Sequence, residues 1–515
     1  MIKITYPRGE YMTKKSIYTI LLVMILARLF SLSWLPIMDP SEGRYATIGK
    51  IMSTSGNYIT PQIVRRGDII PFWGKPPLFF WSEAFTIKLF GANDFSPRLP
   101  SAISGILLLL MVYWIIGRYH GRESGAAAAF ITFSSGAFFF MSGLVLLDMM
   151  LVLFSSGAWL FYYAFMQESG KKKKKLFSIA VFISLALGFM VKGPVALVMF
   201  GLPVFLWTLL NKRWKHLLDH AWFSGGGLFL LITVPWFVVA EKATPGFLKY
   251  FFINENILRF VSDKYGDKYG SGHEFPHGMS ILFMLAATAP WVALALFMVI
   301  RKFIRLKKLN TGDSWVKTLG KSLNNDDRRS NDKYDYFVIT FVSITVFWCF
   351  ARQILLYYLL PVVPAFSIWA AFYFKGNNFS LKSIARSALC LICLYAIALS
   401  VMYLALSDSG STKRIIGYIK NMNDVDNIVF VRRVPNSASY YGGDMIALHG
   451  KEEIETSLKR GEGKPNTVYV ISRYYRKRFY DVIKSSNSNI AIIYKSPEWV
   501  IAKEEKSKLI SGTGR

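Results

Sequence analysis

Cysteine and histidine are scarce in this chain. Its 515 residues include three cysteines and six histidines. Cys349, Cys390 and Cys393 all fall inside apolar runs, and no pair of them has the spacing of a zinc site. These features exclude a secreted domain held together by disulfides, and the cysteines are expected to be packing residues.

Acidic residues are also few. The chain has 32 Asp and Glu residues against 61 Lys and Arg residues, which gives a formal net charge of +29. In a soluble protein such a surplus would suggest a nucleic-acid partner. Here the basic clusters, such as residues 171–175, lie in short segments between apolar runs, where the positive-inside rule of membrane proteins accounts for them. No nucleic-acid partner is therefore expected.

Apolar runs of membrane length, by contrast, are abundant. Hydrophobic residues make up 53% of the chain and aromatic residues 16%, and runs of about 20 apolar residues, enough to cross a bilayer as a helix, recur along most of it. The sequence therefore predicts an all-α polytopic membrane protein with a bundle of about 11 to 13 helices. The candidate spans are residues 17–36, 99–117, 124–142, 146–166, 176–191, 194–210, 222–240, 279–300, 336–351, 353–374 and 385–407.

The distribution of charge predicts the orientation of the bundle. If the N-terminus is cytoplasmic, the connections rich in lysine and arginine all fall on the cytoplasmic side, as the positive-inside rule requires. Loops 37–98 and 241–278, together with the segment after residue 407, then lie on the external side. The predicted domains are a transmembrane domain, residues 1–407, and an external domain, residues 408–515.

The external segments have patterns of their own. In the first external loop, residues 42–53 and 78–90 are typical of amphipathic helices at the membrane interface, separated by a turn-rich segment. After residue 407, short β-type runs alternate with helical patterns, which predicts a small α/β domain. The β-type runs are residues 427–431, 467–471 and 490–494, and the helical patterns are residues 451–460 and 475–484.

A charged motif opens the first external loop. The stretch MDPSEGRYATIGKIM contains Asp39, Glu42 and Arg44. The simplest interpretation is that Asp39 caps an interfacial helix, since Asp is a favoured N-cap. That interpretation leaves Asp148 unexplained, because an ionisable group inside an apolar run such as GLVLLDMMLVLF costs a few kcal/mol and normally faces a cavity or a partner. By the predicted orientation, Asp148 lies near the external end of its helix.

Cations are expected on the same side. Lys75 lies in the external stretch PFWGKPPLFFW, and Lys192 ends a helix in GFMVKGPVAL. Lysines and arginines at an interface also reach lipid phosphates without any catalytic role, so this alternative stands beside a functional one. The arginines to which both interpretations apply are Arg44, Arg98, Arg259 and Arg352.

Carboxylates and cations on one face of a membrane suit the transfer of a sugar from a lipid phosphate. An acceptor hydroxyl must lose a proton to a base as it attacks, and the departing phosphate needs cations to hold its charge. The hypothesis assigns Asp39 as the base, with Glu42 as the rival, and Asp148 as the residue that orients the acceptor or stabilises positive charge on the sugar. The predicted phosphate-binding residues are Lys75, Lys192, Arg259 and Arg352, and Arg44 either joins them or orients Glu42.

An ordered set of motifs adds a resemblance to a known family. In chain order these motifs are DPSEGRYATIGKIMSTSGNYITPQ, FWGKPPLFFW, FGANDFSPRLPSAISG, LVLLDMMLVLF, FMVKGPVALV, FFINENILRF and YYLLPVVPAF. The set resembles the bacterial branch of the dolichyl-phosphate-mannose protein mannosyltransferase-like family. The resemblance implies a GT-C type fold, an undecaprenyl-phosphate-linked sugar donor, an inverting reaction at the periplasmic face of the inner membrane, and a periplasmic C-terminal domain.

The chain departs from the family pattern in two places. Ser41 and Glu42 stand where members often have an adjacent Asp and Glu, so the role of base stays divided between Asp39 and Glu42. Gly74 stands where members that modify lipid A tend to have a glutamate. A divalent metal is therefore an alternative without support in the sequence, and His273 and His277, four residues apart, are more typical of surface residues than of metal ligands.

The acceptor and the competing functions stay open at this stage. The acceptor is expected to be lipid A, another surface glycan or a protein, and the last of these would make the chain a protein O-mannosyltransferase. A transporter or flippase of lipid-linked sugars would also hold ionisable groups in its helices, although such proteins often have repeated halves and sites near the midplane. The sequence shows no internal repeat. Apart from donor, acceptor and membrane lipids, no partner is expected, and the protein is expected to be a monomer.

Overall fold

The computed structural model describes residues 12–65, 68–262, 268–269, 274–309, 314, 331–431, 434–443, 446–447, 466–484 and 490–504. Most of these residues are helical, as predicted. In chain order the α-helices are Lys14–Phe30, Ser41–Ser55, Leu78–Phe90, Leu99–His120, Arg122–Ser134, Gly136–Met141, Leu147–Gln167, Lys171–Lys192, Val195–Asn211, Trp214–Leu218, Trp222–Ala243, Phe247–Lys249, Arg259–Val261, Met279–Thr288, Trp291–Leu309, Asn331–Cys349, Val362–Gly376, Leu381–Leu406, Lys413–Lys420, Asn436–Gly442 and Arg476–Lys484. A π-helix covers Tyr250–Leu258, and short 3₁₀ turns cover Ser31–Ser33, Ser96–Arg98, Leu356–Leu359 and Arg473–Tyr475.

The helices form a multi-pass membrane protein. Within the described residues, six helices are long and apolar enough to cross a bilayer, or up to seven if one bent pair counts as a span. The other predicted spans form shorter or broken helices that pack within the same bundle. The six long segments are Lys14–Ser33, Ser96–His120, Leu147–Gln167, Lys171–Lys192, Trp222–Ala243 and Leu381–Leu406.

Two predicted spans are broken, and their breaks touch. Residues 279–300 form two helices with a bend of 101° between Thr288 and Trp291, where Pro290 offers no backbone N–H to continue the helix. Residues 124–142 are interrupted at Ser135, whose backbone is extended. The N–H of Gly136 donates to the carbonyl of Ala289 at 2.9 Å. One backbone group at each break therefore has its hydrogen-bond partner at the other break.

A third predicted span starts later than expected. Within residues 353–374, a regular helix begins only at Val362 and is preceded by the 3₁₀ turn Leu356–Leu359. Pro361 explains the start, because proline fits the first turn of a helix but not its interior. The residues before Pro361 are therefore available to line a cavity instead of continuing the span.

Residues 37–98, the predicted first external loop, fold against the bundle. The predicted helix at 78–90 is confirmed as Leu78–Phe90, and the one at 42–53 is confirmed as Ser41–Ser55, which ends at Gly56 in the left-handed conformation. The turn-rich segment between them forms an antiparallel hairpin of β1, Gln62–Arg65, and β2, Asp68–Pro71. Sequence patterns did not predict this hairpin, because each strand has only four residues.

The C-terminal segment builds an α/β layer structure. Its five strands are ordered β4-β3-β5-β7-β6, with β3 parallel to β4 and β5, and β7 antiparallel to β5 and β6. Apolar side chains alternate between two buried faces of the sheet, each covered by a helix. The strands are β3 Asn427–Phe430, β4 Ile446–Ala447, β5 Thr467–Ser472, β6 Ile490–Lys495 and β7 Trp499–Glu504.

Three predicted strands and one predicted helix of this segment are confirmed as β3, β5, β6 and Arg476–Lys484. The helix predicted at 451–460 lies outside the described residues. The proposed domain boundary after residue 407 falls where the helix Leu381–Leu406 ends, and it stays a prediction.

Candidate active site

The helix Ser41–Ser55 presents two faces with different partners. Ser41, Arg44 and Tyr45, at spacings i, i+3 and i+4, share one face and line a cavity. Glu42 is one residue out of step with them and points into the protein. Helical periodicity therefore separates Glu42 from the cavity although it is the neighbour of Ser41.

Glu42 belongs to a buried ion pair with Arg98. The Arg98 guanidinium donates to Glu42 from Nε at 2.7 Å and from Nη2 at 2.8 Å. The same carboxylate accepts from the backbone N–H of Val145 at 3.0 Å and of Met38 at 2.8 Å. Arg98 is 1% exposed and also donates to the carbonyls of residues 32, 35 and 36. Every donor and acceptor of this pair is therefore engaged in holding loops together.

Asp39 contacts the C-terminal segment. Its carboxylate accepts hydrogen bonds from the backbone N–H of Ser437, at 3.0 Å, and from the Ser437 hydroxyl. Close by, Asn436 donates to the carbonyl of Pro40 at 2.7 Å. Gly43 leaves room for this contact, because a Cβ there would lie 2.6 Å from the Ser437 nitrogen. Asp39 thus joins the first external loop to the helix Asn436–Gly442.

Asp148 and Lys192 form an ion pair at adjoining ends of two neighbouring helices. The Lys192 ammonium donates to Asp148 Oδ1 at 2.5 Å. Asp148 lies in the first turn of its helix and Lys192 ends the next one, so the short connection between these antiparallel helices brings both to the same end. Lys192 also lies 3.9 Å from the centre of the Tyr358 ring, a cation–π contact.

A second charged cluster faces this pair. Glu255, on the π-helix of the second external loop, accepts from Lys75 and from Arg259 on the same carboxylate oxygen. Burial lowers the pKa of Lys75 to about 8, although the neighbouring Glu255 opposes that shift. Burial also favours the neutral acid at Glu255, but Lys75 and Arg259 outweigh it and hold the pKa of Glu255 below its usual range.

The two clusters line one polar cavity of about 210 Å³. Its lining includes four cations and two carboxylates, a formal surplus of two positive charges. The surplus makes this cavity suited to an anion, because desolvated walls strengthen electrostatic attraction. The charged lining residues are Arg44, Lys75, Lys192, Arg259, Asp148 and Glu255.

An apolar groove of about 400 Å³ adjoins the polar cavity. The two spaces share Lys75, Lys192, Glu255, Arg259 and Tyr358. Beyond these shared residues the groove is lined mainly by aliphatic and aromatic side chains of the second external loop and the neighbouring helices. An amphiphile with a negatively charged head and a hydrocarbon tail has the shape and charge that this pair of spaces would accept.

The structure brings together five of the eight predicted site residues. Arg44, Lys75, Asp148, Lys192 and Arg259 all line the polar cavity. The remaining three are not among its lining residues: Asp39 and Glu42 have the partners described above, and the Arg352 side chain is exposed.

Sequence reasoning missed Glu255 and Tyr358 at this site. The spacing of Glu255 and Arg259, an acid four residues before a base, is a weak signal that many surface helices share. Tyr358 belongs to a stretch that reads as the start of a membrane span. No pattern in the sequence distinguishes it from a packing aromatic.

The charged clusters do not fit a metal ion. In the described part of the chain, no three His, Cys, Asp or Glu side chains are grouped closely enough to hold one. Lysine and arginine already occupy the surroundings of Glu255, and Gly74 offers no ligand. Of the two histidines considered earlier, His273 lies outside the described residues, and His277 is within hydrogen-bonding distance of the Cys349 carbonyl.

Fold and cavity together define a polytopic membrane protein of the GT-C fold, with a polar cavity of positive formal charge at one end of the bundle. A crystal structure of ArnT from Cupriavidus metallidurans bound to undecaprenyl phosphate has the same fold, with a TM-score of 0.77 over 95% of this chain and 98% of that one. Sequence identity between the two is 17%, so this match speaks for the fold alone.

Sequence comparisons are more specific. The family model for dolichyl-phosphate-mannose-protein mannosyltransferase matches residues 15–251. The undecaprenyl phosphate-α-4-amino-4-deoxy-L-arabinose arabinosyl transferase of Enterobacter sp. (strain 638) is 30% identical over 288 residues, 55% of this chain and 49% of that protein. A transferase of the same description from Pseudomonas fluorescens (strain Pf0-1) is 27% identical over 273 residues, 53% of this chain and 48% of its own.

These matches confirm the resemblance to the mannosyltransferase-like family that the motifs predicted. The chain spans about half the length of the curated relatives it matches.

The buried pair yields a prediction about stability. Glu42→Gln should lower the free energy of unfolding by about 3–5 kcal/mol, because it leaves the buried Arg98 charge without a counter-charge. Glu168→Gln is the matched control: its partner Arg118 is 38% exposed, so water compensates the loss and a much smaller change is expected. Thermal unfolding of the two variants in detergent, each compared with the parent protein, measures the difference. Equal shifts would contradict the proposed importance of the Glu42–Arg98 pair.

Proposed function

We propose that the protein is an inverting glycosyltransferase that moves a sugar from an undecaprenyl-phosphate-linked donor to a hydroxyl or phosphate of an acceptor on the periplasmic side of a bacterial inner membrane. The observation that carries this proposal is the polar cavity with its positive surplus, joined through shared lysines and an arginine to an apolar groove. The relatives, which are undecaprenyl-phosphate aminoarabinose transferases, and the undecaprenyl phosphate bound to the C. metallidurans protein support the same chemistry.

In this proposal the lipid phosphate binds where the two spaces meet. Lys75, Lys192 and Arg259 are common to both, so a phosphate there would have the sugar on the polar side and the prenyl chain on the apolar side. The donor is a phosphodiester with one negative charge, whereas the departing phosphate monoester carries about −1.5 to −2. Two surplus positive charges match the product better than the donor, and such a bias lowers the barrier to departure.

The proposal gives Asp148 a more direct role than the sequence alone did. The cavity has two carboxylates. Glu255 is held between Lys75 and Arg259, whereas Asp148 pairs with Lys192, which in this proposal turns to the phosphate. Once Lys192 binds the phosphate, Asp148 could accept the proton of an acceptor hydroxyl or stabilise positive charge on the sugar ring. Asp39 and Glu42 would act through the helix that they hold, as positioning residues.

A deletion strain tests the function as a whole. Mass spectrometry of lipid A, surface polysaccharide and glycoproteins should reveal one sugar that the deletion removes and a plasmid-borne copy restores. The class of molecule that loses the sugar identifies the acceptor. If none of the three classes changes under conditions in which the gene is expressed, the transferase assignment fails.

Variants of the three carboxylates separate chemistry from positioning. Asp148→Asn should lower kcat by about a hundredfold to ten-thousandfold, because the loss falls on the chemical step, while donor binding is kept or strengthened, because Lys192 loses a competing partner. Asp39→Asn and Glu42→Gln should instead lower thermal stability together with activity. A stable, inactive Asp39→Asn protein beside an active Asp148→Asn protein would return the role of base to Asp39. If the acceptor group is a phosphate, the reaction needs no base. In that case the activity of Asp148→Asn should depend on pH as the activity of the parent protein does.

The pKa of Lys75 leads to a pH prediction for the binding of undecaprenyl phosphate. A phosphate binds the charged form of Lys75, so affinity should be constant below pH 8 and fall as pH rises through about 8, where the unliganded lysine loses its proton. Lys75→Gln should bind undecaprenyl phosphate weakly at every pH. Lys75→Arg is the control: arginine stays charged, so binding should persist and its decline above pH 8 should vanish. Binding measured by tryptophan fluorescence between pH 6.5 and 9.5 decides this, and an unchanged decline in Lys75→Arg would rule Lys75 out as its cause.

A further inference from the structure

A second cavity lies on the other side of the 3₁₀ turn Leu356–Leu359. It has a volume of about 420 Å³, and none of its lining residues lines the polar cavity or the apolar groove. Leu356 faces this second cavity, whereas Tyr357 and Tyr358 face the polar one. Its walls are mostly apolar, and its charged lining residues are Arg28 and Arg98.

Arg28 is a buried cation with neutral partners. The side chain is 2% exposed and donates to the Ser31 hydroxyl at 2.7 Å, to the Ser142 hydroxyl at 3.3 Å and to the Phe140 carbonyl at 3.3 Å. Its guanidinium also lies 5.0 Å from the centre of the Phe139 ring. In the part of the chain that the structure describes, no carboxylate forms an ion pair with Arg28.

The nearby carboxylate cannot serve both arginines. Glu42 acts on Arg28 electrostatically, but its two oxygens accept from Arg98 and from two backbone N–H groups. Of the two cations that line the cavity, Arg98 is therefore neutralised by Glu42 and Arg28 is not. A charge buried in a membrane-spanning helix normally has a partner of opposite sign, because water is not there to replace one.

Two of the three least buried spans of the described residues line this cavity. Arg28 lies on Lys14–Phe30, which belongs to a span that is 33% buried, and Leu399 and Met402 lie on Leu381–Leu406, which is 11% buried. A molecule that enters between these two helices would come from the bilayer rather than from water. Its polar part would meet Arg28 near the external end of the first span, and its apolar part would lie along Leu399 and Met402.

We propose that this second cavity binds an anionic phospholipid, with the phosphodiester beside Arg28 and an acyl chain along the apolar wall. One uncompensated guanidinium matches the single negative charge of a lipid such as phosphatidylglycerol. The site is separate from the sugar-donor site, and the proposal does not depend on the reaction of the protein. Through the turn Leu356–Leu359, the bound lipid supports the wall that the two cavities share.

Native mass spectrometry of the full-length protein in an uncharged detergent tests this site. The parent protein should retain phosphatidylglycerol in preference to phosphatidylethanolamine with the same chains. Arg28→Gln should reduce that retention about tenfold or more, the loss expected for a charge-assisted contact. The control Arg122→Gln, an exposed arginine at the opposite end of the bundle, should retain as much phosphatidylglycerol as the parent.

A second variant displaces the arginine and keeps its charge. A Cβ at Gly143 would lie 1.0 Å from Arg28 Nη2, so Gly143→Ala must move the guanidinium and should also reduce retention. Equal retention of the two phospholipids by the parent protein, or unchanged retention in a monodisperse Arg28→Gln protein, would overturn the proposal. Preferential retention of lipid A over phosphatidylglycerol would overturn the assigned occupant and identify the cavity as an acceptor site.

Discussion

The buried pair of Glu42 and Arg98 holds several segments of the chain together. Its hydrogen bonds reach the end of the first span, the start of the helix Ser41–Ser55, the start of the helix Leu99–His120 and the turn before Asp148. Three parts of the chain, near residues 32–42, 98 and 145, thus meet at this pair, beside a buried apolar cluster that includes Ile37 and Val145. A charged pair can satisfy several loop backbones at once, which a hydrophobic contact cannot do. The geometry of the polar cavity depends on this pair, although neither residue lines it.

In the polar cavity, cations that could bind an anion already have carboxylate partners. Glu255 accepts from both Lys75 and Arg259, and Asp148 accepts from Lys192, so most of the positive charge has an internal partner. An arriving anion exchanges one set of ion pairs for another, and the cost of burying bare cations does not arise. Burial still lowers the pKa of Lys75, so Glu255 offsets only part of the cost of burying that charge.

Sequence patterns predict elements whose signal is local. The helix Leu78–Phe90 follows from its amphipathic pattern and the strand β5 from a short run of β-type residues. The ends of the helices that carry Asp148 and Lys192 are clear because a charge interrupts an apolar run. The break at Pro290 is harder to predict, because proline occurs inside other helices of the same bundle, including Trp222–Ala243.

The candidate site was predictable in part, for physical reasons. A charged motif residue that ends an apolar helix, such as Lys192, can be placed at the end of the bundle from the sequence alone. Glu42 and Asp39 could face the cavity or the protein, and the choice depends on Arg98 and Ser437, partners that no local pattern reveals. Glu255 is hidden for the same reason, since its role depends on a lysine 180 residues away.

The contact between Asp39 and Ser437 has a consequence for how the chain matures. The two residues are 398 positions apart, so the ribosome must add that many residues after Asp39 before the hydrogen bond can form. At about 5–20 residues per second, the first external loop would wait roughly 20–80 s, outside the membrane, for its partner. During that interval the Asp39 carboxylate is hydrated and the loop is held mainly by its own hairpin and helices. Chains that stop early would insert a nearly complete bundle and still leave that loop exposed to proteases, which gives the cell a way to distinguish finished molecules from unfinished ones.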